Sequence, residues 1–142
     1  FMGRTVLESP NYMEKNREGF QARNGFPMVG GCIDGTHIPY KPISGDMEED
    51  FKNYKGWTSL LAIAFVNSSY LIVGFEVGWP GRYHDKTCSL HSNFWRLITE
   101  NRELWLGKDG VALADSAWGI GNKFVMCPFS RRNGSTELQQ WY

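Results

Sequence analysis

The sequence predicts an α/β domain built on a mixed sheet, and three observations carry that prediction. A short apolar run, Met28 to Ile33, closes on Asp34-Gly35. Two longer apolar runs, Trp57 to Val66 and Tyr70 to Val77, flank the polar turn Asn67-Ser68-Ser69 and read as a hairpin. A stretch with helical apolar spacing is followed by one more buried run, Val111 to Ala114, that stops at Asp115. Strand, hairpin, helix and strand in that order require a crossover, so the last strand is expected to lie parallel in the same sheet.

Each element has its own signal. Residues 4–24 are polar and mixed in charge, with Pro10 and Asn11 delaying any helix, so a helix is expected over Tyr12–Arg23, ending at Asn24-Gly25. The first strand is read as Val29–Ile38, with Gly30 and Gly31 marking close backbone packing. Residues 41–56 read as a loop, since Pro42, Ser44, Gly45 and the acidic residues around Met47 favour solvent. Leu90, Phe94, Leu97, Ile98 and Leu104 recur at helical spacing, which predicts a helix over Asp85–Trp105, ended by Gly107 and Gly110. Phe124 to Phe129 is a short apolar segment, and Ser135 is placed to cap a further helix. Three antiparallel strands, a helix and a parallel strand is the arrangement of the RNase H-like fold.

Bulk properties bound the function. The chain has 142 residues, room for one domain, and 42% of them are hydrophobic, enough for a packed core. Lys and Arg number 15, as do Asp and Glu, so the net charge is zero, which argues against a domain whose main task is gripping DNA. Cys32, Cys88 and Cys127 show neither disulfide nor zinc spacing. No apolar run approaches a membrane span, and residues 1–5 are not a signal peptide. The chain is expected to continue beyond both of its ends.

The chemistry is expected at Asp34 and Asp115. Each closes an apolar strand, where a carboxylate is costly unless paired or bound to a cation. They lie 81 residues apart, yet side-by-side strands would bring them together. Their mutual repulsion would be relieved by a hard divalent cation, Mg²⁺ or Mn²⁺. The plainer alternative is that each merely caps a turn, as Asp often does. Asp85, in Pro80-Gly81-Arg82-Tyr83-His84-Asp85, is a third candidate: a helix cap, or with His84 a supporting group or ligand of the same site. Lys55, Arg82 and Lys86 are placed to meet phosphates, or are ordinary surface charges. Glu76 is expected to point outward from its strand.

These residues resemble a known family. Gly31-Cys32-Ile33-Asp34-Gly35-Thr36-His37-Ile38 is similar to the G-x-I-D-G-T-H-I motif of PIF/Harbinger-type DDE transposases and the nucleases derived from them. Tyr54-Lys55-Gly56 resembles a shortened form of the family's Y-K/R-x-K-G segment. Pro80 to Asp85 resembles P-G-S-x-H-D with Arg82 for Ser, Leu113 to Trp118 resembles L-x-D-S-x-Y with Trp118 for Tyr, and Cys127-Pro128-Phe129 stands where the family has T-P-Y or T-P-F.

The resemblance implies residues 1–25 as a helical lead-in and residues 26–142 as a partial RNase H-like DDE endonuclease domain, truncated at its C-terminus. It implies a metal-dependent endonuclease or transposase that cuts, and in some members transfers, DNA strands in the nucleus. By position Asp34 and Asp115 are the first two acids, and Asp85 is the additional aspartate of the H-D pair; all three are expected as metal ligands. Lys55, Arg82 and His84 are expected to meet substrate. The third acid, a Glu, is expected past Tyr142, because Glu137 follows Asp115 by only 22 residues. A separate Myb-like protein is the expected partner for DNA recognition. The competing expectation is a domesticated, catalytically inactive DNA- or protein-binding domain, told apart by whether that Glu follows Tyr142. Without it the 142-residue chain is expected to bind metal weakly.

Overall fold

In a computed structural model, residues 7–9, 11–43, 48–84, 87–88, 91–118 and 123–128 are described. Helix α1 spans Tyr12–Asn24 and ends as expected, with Gly25 in the left-handed conformation (φ 71°) and its N–H returning to the Gln21 carbonyl. Strand β1 follows as Val29–Pro39, then a one-turn helix α2 at Glu48–Phe51 within the stretch read as loop. Strands β2 (Ser59–Val66) and β3 (Ile72–Pro80) form the hairpin. Helices α3 (Asn93–Glu100) and α4 (Arg102–Leu106) lead to β4 (Val111–Leu113), a 3₁₀ turn at Ser116–Trp118 and β5 (Val125–Met126).

The sheet order is β3-β2-β1-β4-β5, with β1 in the centre. β1 runs antiparallel to β2 and parallel to β4, and β5 runs parallel to β4. This is the α/β mixed sheet that the sequence predicts. The hairpin tip differs from expectation: Tyr70 belongs to the turn (φ 62°), and β3 begins at Ile72. Asn67 makes the turn, since its side-chain oxygen accepts from the N–H groups of Ser69 and Leu71.

One face of the sheet carries the core. Ile33, Leu61, Ile63 and Phe65 are buried on it, and Trp105 of α4 meets the Phe65 and Phe94 rings edge-on. Gly31 has to lack a side chain here, because a Cβ would come within 2.2 Å of the Phe65 ring. Gly30 faces the α4 backbone equally closely, with the Leu106 Cα 2.4 Å from such a Cβ. The opposite face is less covered along β3, where Ile72, Phe75 and Val77 are exposed.

The predicted helix over Asp85–Trp105 is a correction. Thr87, Cys88 and His91 are helical, but the helix is interrupted at Ser92, which is extended and whose hydroxyl caps the Trp95 N–H at 3.0 Å, so a new helix starts at Asn93. It breaks at Asn101, whose amide donates back to the Leu97 carbonyl. Apolar periodicity ran across both polar stops. Glu76 is a second correction: it does not point away from the fold. One carboxylate oxygen accepts from the Ser92 hydroxyl and the Phe94 N–H, both at 2.7 Å, and the other from the Trp79 indole at 3.0 Å. A carboxylate at this helix start satisfies donors that the helix cannot, and favours the local dipole.

α1 crosses the end of the sheet where β1 begins. Asn16 is buried, donating to the Gly30 carbonyl and accepting from the Ser68 N–H. A cleft of about 590 Å³ between α1 and the turn after α4 lies at this same end, near Met28 and Lys108. No helix among the described residues is long and apolar enough to cross a membrane.

Glu76→Ala removes three charge-assisted bonds at once, and should lower unfolding stability in urea by about 2–3 kcal/mol. Glu76→Gln, which keeps an acceptor, should lose less than half of that. Equal losses would show that the retained acceptor contributes nothing and that the charge carries the whole effect.

Candidate active site

β4 determines where the aspartates stand. It pairs with β1 only from Val29 to Cys32, whereas β2 accompanies β1 all the way to Pro39. Beyond Cys32 no strand among the described residues pairs with the β4-side edge of β1, and there the sequence turns polar at Asp34 and Thr36. Asp34 does not end its strand, as the apolar run suggested; it lies inside β1, just past the end of its partner.

The register brings the two acids level. Cys32 pairs with Leu113, and Asp34 and Asp115 each lie two residues further along parallel neighbours. Such strands run about 4.8 Å apart. The β4–β5 ladder continues one residue past Leu113, with the Ala114 N–H donating to the Met126 carbonyl at 3.1 Å, so the chain is still extended as it reaches Asp115.

Each carboxylate is oriented through one oxygen. Asp34 Oδ1 accepts from the Gly35 N–H, and Asp115 Oδ1 accepts from the Ala117 N–H, both at 2.8 Å. Both residues are exposed, and neither has an ion-pair partner among the described residues. The turn after Asp115 is held by the Trp118 N–H on the Asp115 carbonyl, and the Trp118 ring is buried against Trp95 at 5.8 Å. Nearby thiols respond to these surroundings. Burial pushes the Cys127 thiol up, and the Asp115 carboxylate adds to that; burial alone pushes Cys32 up.

The other predicted site residues divide. Asp85 lies outside the described residues, as do Lys86 and Glu137. His84 is exposed, and its carbonyl accepts from Thr87 and Cys88. The Arg82 guanidinium pairs with Asp50 and lies 5.5 Å from the Tyr83 ring centre. Lys55 is exposed on a turn, 5.5 Å from the Tyr54 ring centre.

Sequence reasoning missed the residue that joins these loops. Ser59, fully buried at the start of β2, bonds through its hydroxyl to His37 Nδ1 at 2.9 Å and to the Asn53 amide at 3.0 Å. Gly81 approaches the same serine so closely that a Cβ would lie 2.3 Å from its oxygen. Three separated segments, around His37, Asn53 and Gly81, thus meet at one small side chain. Only a structure shows this, because Ser59 stands in an apolar run and carries no signal of its own.

Residues 33–141 match the DDE superfamily endonuclease family. The chain belongs to that family. Its mixed sheet agrees with the RNase H-like architecture. The chain is also similar to Protein ALP1-like of Arabidopsis thaliana, at 26% identity over 69% of its own length. It spans about a quarter (24%) of that relative. No solved structure matches it.

If Asp115 lies against Cys127, then Asp115→Asn should lower the Cys127 pKa. The sign follows from charge: an anion beside a thiol disfavours the thiolate, so removing it eases ionisation. Alkylation of Cys127 followed by mass spectrometry across pH should show its midpoint moving to lower pH while remaining above that of an ordinary thiol, because burial persists. No movement would place Asp115 elsewhere.

Proposed function

We propose that this domain cleaves DNA phosphodiester bonds with the help of a divalent cation held by Asp34 and Asp115. The observation that carries the reading is the level placement of these two carboxylates past the Cys32–Leu113 pair. The family supplies the reaction class, and DNA is the substrate that a DDE endonuclease domain implies. Activity, strand transfer, a Myb-like partner and action in the nucleus belong to the whole protein, and the likeness to PIF/Harbinger transposases points to them.

The donor set fits Mg²⁺ or Mn²⁺. DDE superfamily endonucleases generally use divalent metals. Here two hard oxygen donors stand level, unpaired by any base, each with its second oxygen unpartnered among the described residues. Among those residues no group of three metal-binding side chains gathers, so further oxygens must come from Asp85, from water, from the DNA or from sequence outside the described part. When bound, the cation would ease ionisation of an attacking water and stabilise the departing oxygen.

The chain's own residues do the rest. The Gly35 and Ala117 amides orient the carboxylates without neutralising them. Lys55 stands at the rim with no carboxylate partner among the described residues and can neutralise a phosphate. Arg82 can do the same only by exchanging Asp50 for a phosphate. We propose His84 as a further contact, since its exposed ring leaves the same turn.

The test is nicking of supercoiled plasmid by the protein that carries this domain, with and without Mg²⁺ or Mn²⁺. Cleavage should require the cation, and Asp34→Asn or Asp115→Asn should each lower the rate about 100-fold or more without changing the thermal midpoint. Cation-independent cleavage, or cleavage that survives both substitutions, would overturn the reading.

A further inference from the structure

A rigid turn at the rim of the sheet displays two aromatic rings to solvent. Asn53 is only 4% exposed, and it ties the turn from inside. Its side-chain oxygen accepts from the Lys55 N–H at 2.9 Å and the Trp57 N–H at 3.4 Å. Its backbone N–H donates to the Trp57 carbonyl, and its carbonyl accepts from Gly56, both at 2.9 Å. Gly56 takes a positive φ of 85° to close the loop. Through its amide, Asn53 is tied to Ser59 and hence to His37.

What this turn presents is Tyr54, 73% exposed, and Trp57, 36% exposed. The His37 ring contacts both edge-on, with centres 5.9 Å from Tyr54 and 6.1 Å from Trp57. Lys55 projects between them in sequence. Large rings left in water cost free energy, and a loop fastened by a buried asparagine cannot fold them away. Flat rings beside a lysine with no carboxylate partner among the described residues suit a flat partner joined to an anion, which describes a nucleobase on its phosphate.

The strand geometry says which kind of nucleotide. His37 is three residues beyond Asp34 on β1, about 10 Å along the strand, or roughly three nucleotide steps of duplex. The two side chains leave opposite faces, since Asp34 pairs with Ala64 and His37 with Leu61. A duplex whose backbone reaches Asp34 on one face cannot also present stacked bases to rings on the other. An unpaired or extruded base can pass around the rim.

We infer that Tyr54, Trp57 and His37, with Lys55, form a stacking site for an unpaired nucleotide a few positions from the bond being cut. This rests on the DNA-cleaving reading above and adds the form of DNA that the domain prefers, namely a duplex with a single-stranded or opened flank.

The test measures binding of the 142-residue chain to one short labelled duplex by fluorescence anisotropy at fixed low salt, without divalent cation. The duplex is offered blunt, with a three-nucleotide 3′ tail, with a 5′ tail, and with abasic sites in each tail. At least one tail should tighten binding about tenfold, and abasic sites should abolish the gain. Tyr54→Ala and Trp57→Ala should each remove most of the gain and leave blunt-duplex affinity unchanged. Tyr54→Phe and Trp57→Phe should keep it. A 2-aminopurine in the favoured tail should be quenched by the unaltered chain and not by Trp57→Ala. Blunt and tailed duplexes bound alike, or a tail gain that survives both alanine substitutions, would overturn the stacking site and leave the cleavage reading standing. Binding of this chain to no DNA form at all would also overturn the stacking site, whereas the cleavage reading stands or falls by the plasmid test with the protein that carries this domain.

Discussion

The short pairing of β4 with the central strand governs the rest of this structure. Three residues of β4 accompany β1, and then stop. Up to Cys32, β1 pairs with β4 and is nearly all apolar, and Cys32 is paired on both edges; past it β2 continues alone among the described residues, and carboxylates become tolerable on the other edge. The same pairing fixes Asp34 and Asp115 at one level. A slip of one residue between the strands would turn Asp115 to the other face of the sheet and dissolve the pair. The close packing at Gly30 and Gly31 guards that register, because Leu106 and the Phe65 ring occupy the space where side chains would stand.

The two ends of the sheet are built differently. At the start of β1, α1 and the hairpin tip are pinned by buried polar groups, above all Asn16. At the other end, loops from three parts of the chain converge on Ser59, and they leave charge and aromatic surface facing outward. A rigid base with a chemically rich rim suits a domain that must hold a long, anionic substrate against a small acidic notch. Zero net charge does not contradict the proposed action on DNA, because what matters is where the cations lie, not their sum.

Much of this was legible in the sequence, for identifiable reasons. The hairpin and β4 are apolar and bounded by turn residues, so local preference and tertiary role agree. Asp34 and Asp115 stood out because a carboxylate at the end of an apolar run is costly to explain otherwise. The long helix was over-read because Phe94, Ile98 and Leu104 keep their spacing across Ser92 and Asn101, and spacing does not reveal that those two side chains bond to the backbone and stop a helix. Glu76 was misjudged because its partners, Ser92 and Phe94, come from the next element. Ser59 and Asn53 were invisible for the same reason: a small polar residue gains its meaning from neighbours that only the fold supplies. The β5 segment, two residues long, was too short to announce itself as a strand.

The central claim is that Asp34 and Asp115 act as one cation site, and paramagnetic line broadening tests it most directly. Each acid has a reporter amide bonded to it, Gly35 for Asp34 and Ala117 for Asp115. Substoichiometric Mn²⁺ added to the isotope-labelled chain should broaden both amide signals together. Asp34→Asn should protect Ala117 as well as Gly35, and Asp115→Asn should protect Gly35 as well as Ala117. If either substitution protects only its own neighbour, or Mn²⁺ broadens neither signal, the two carboxylates do not share an ion and the account is wrong.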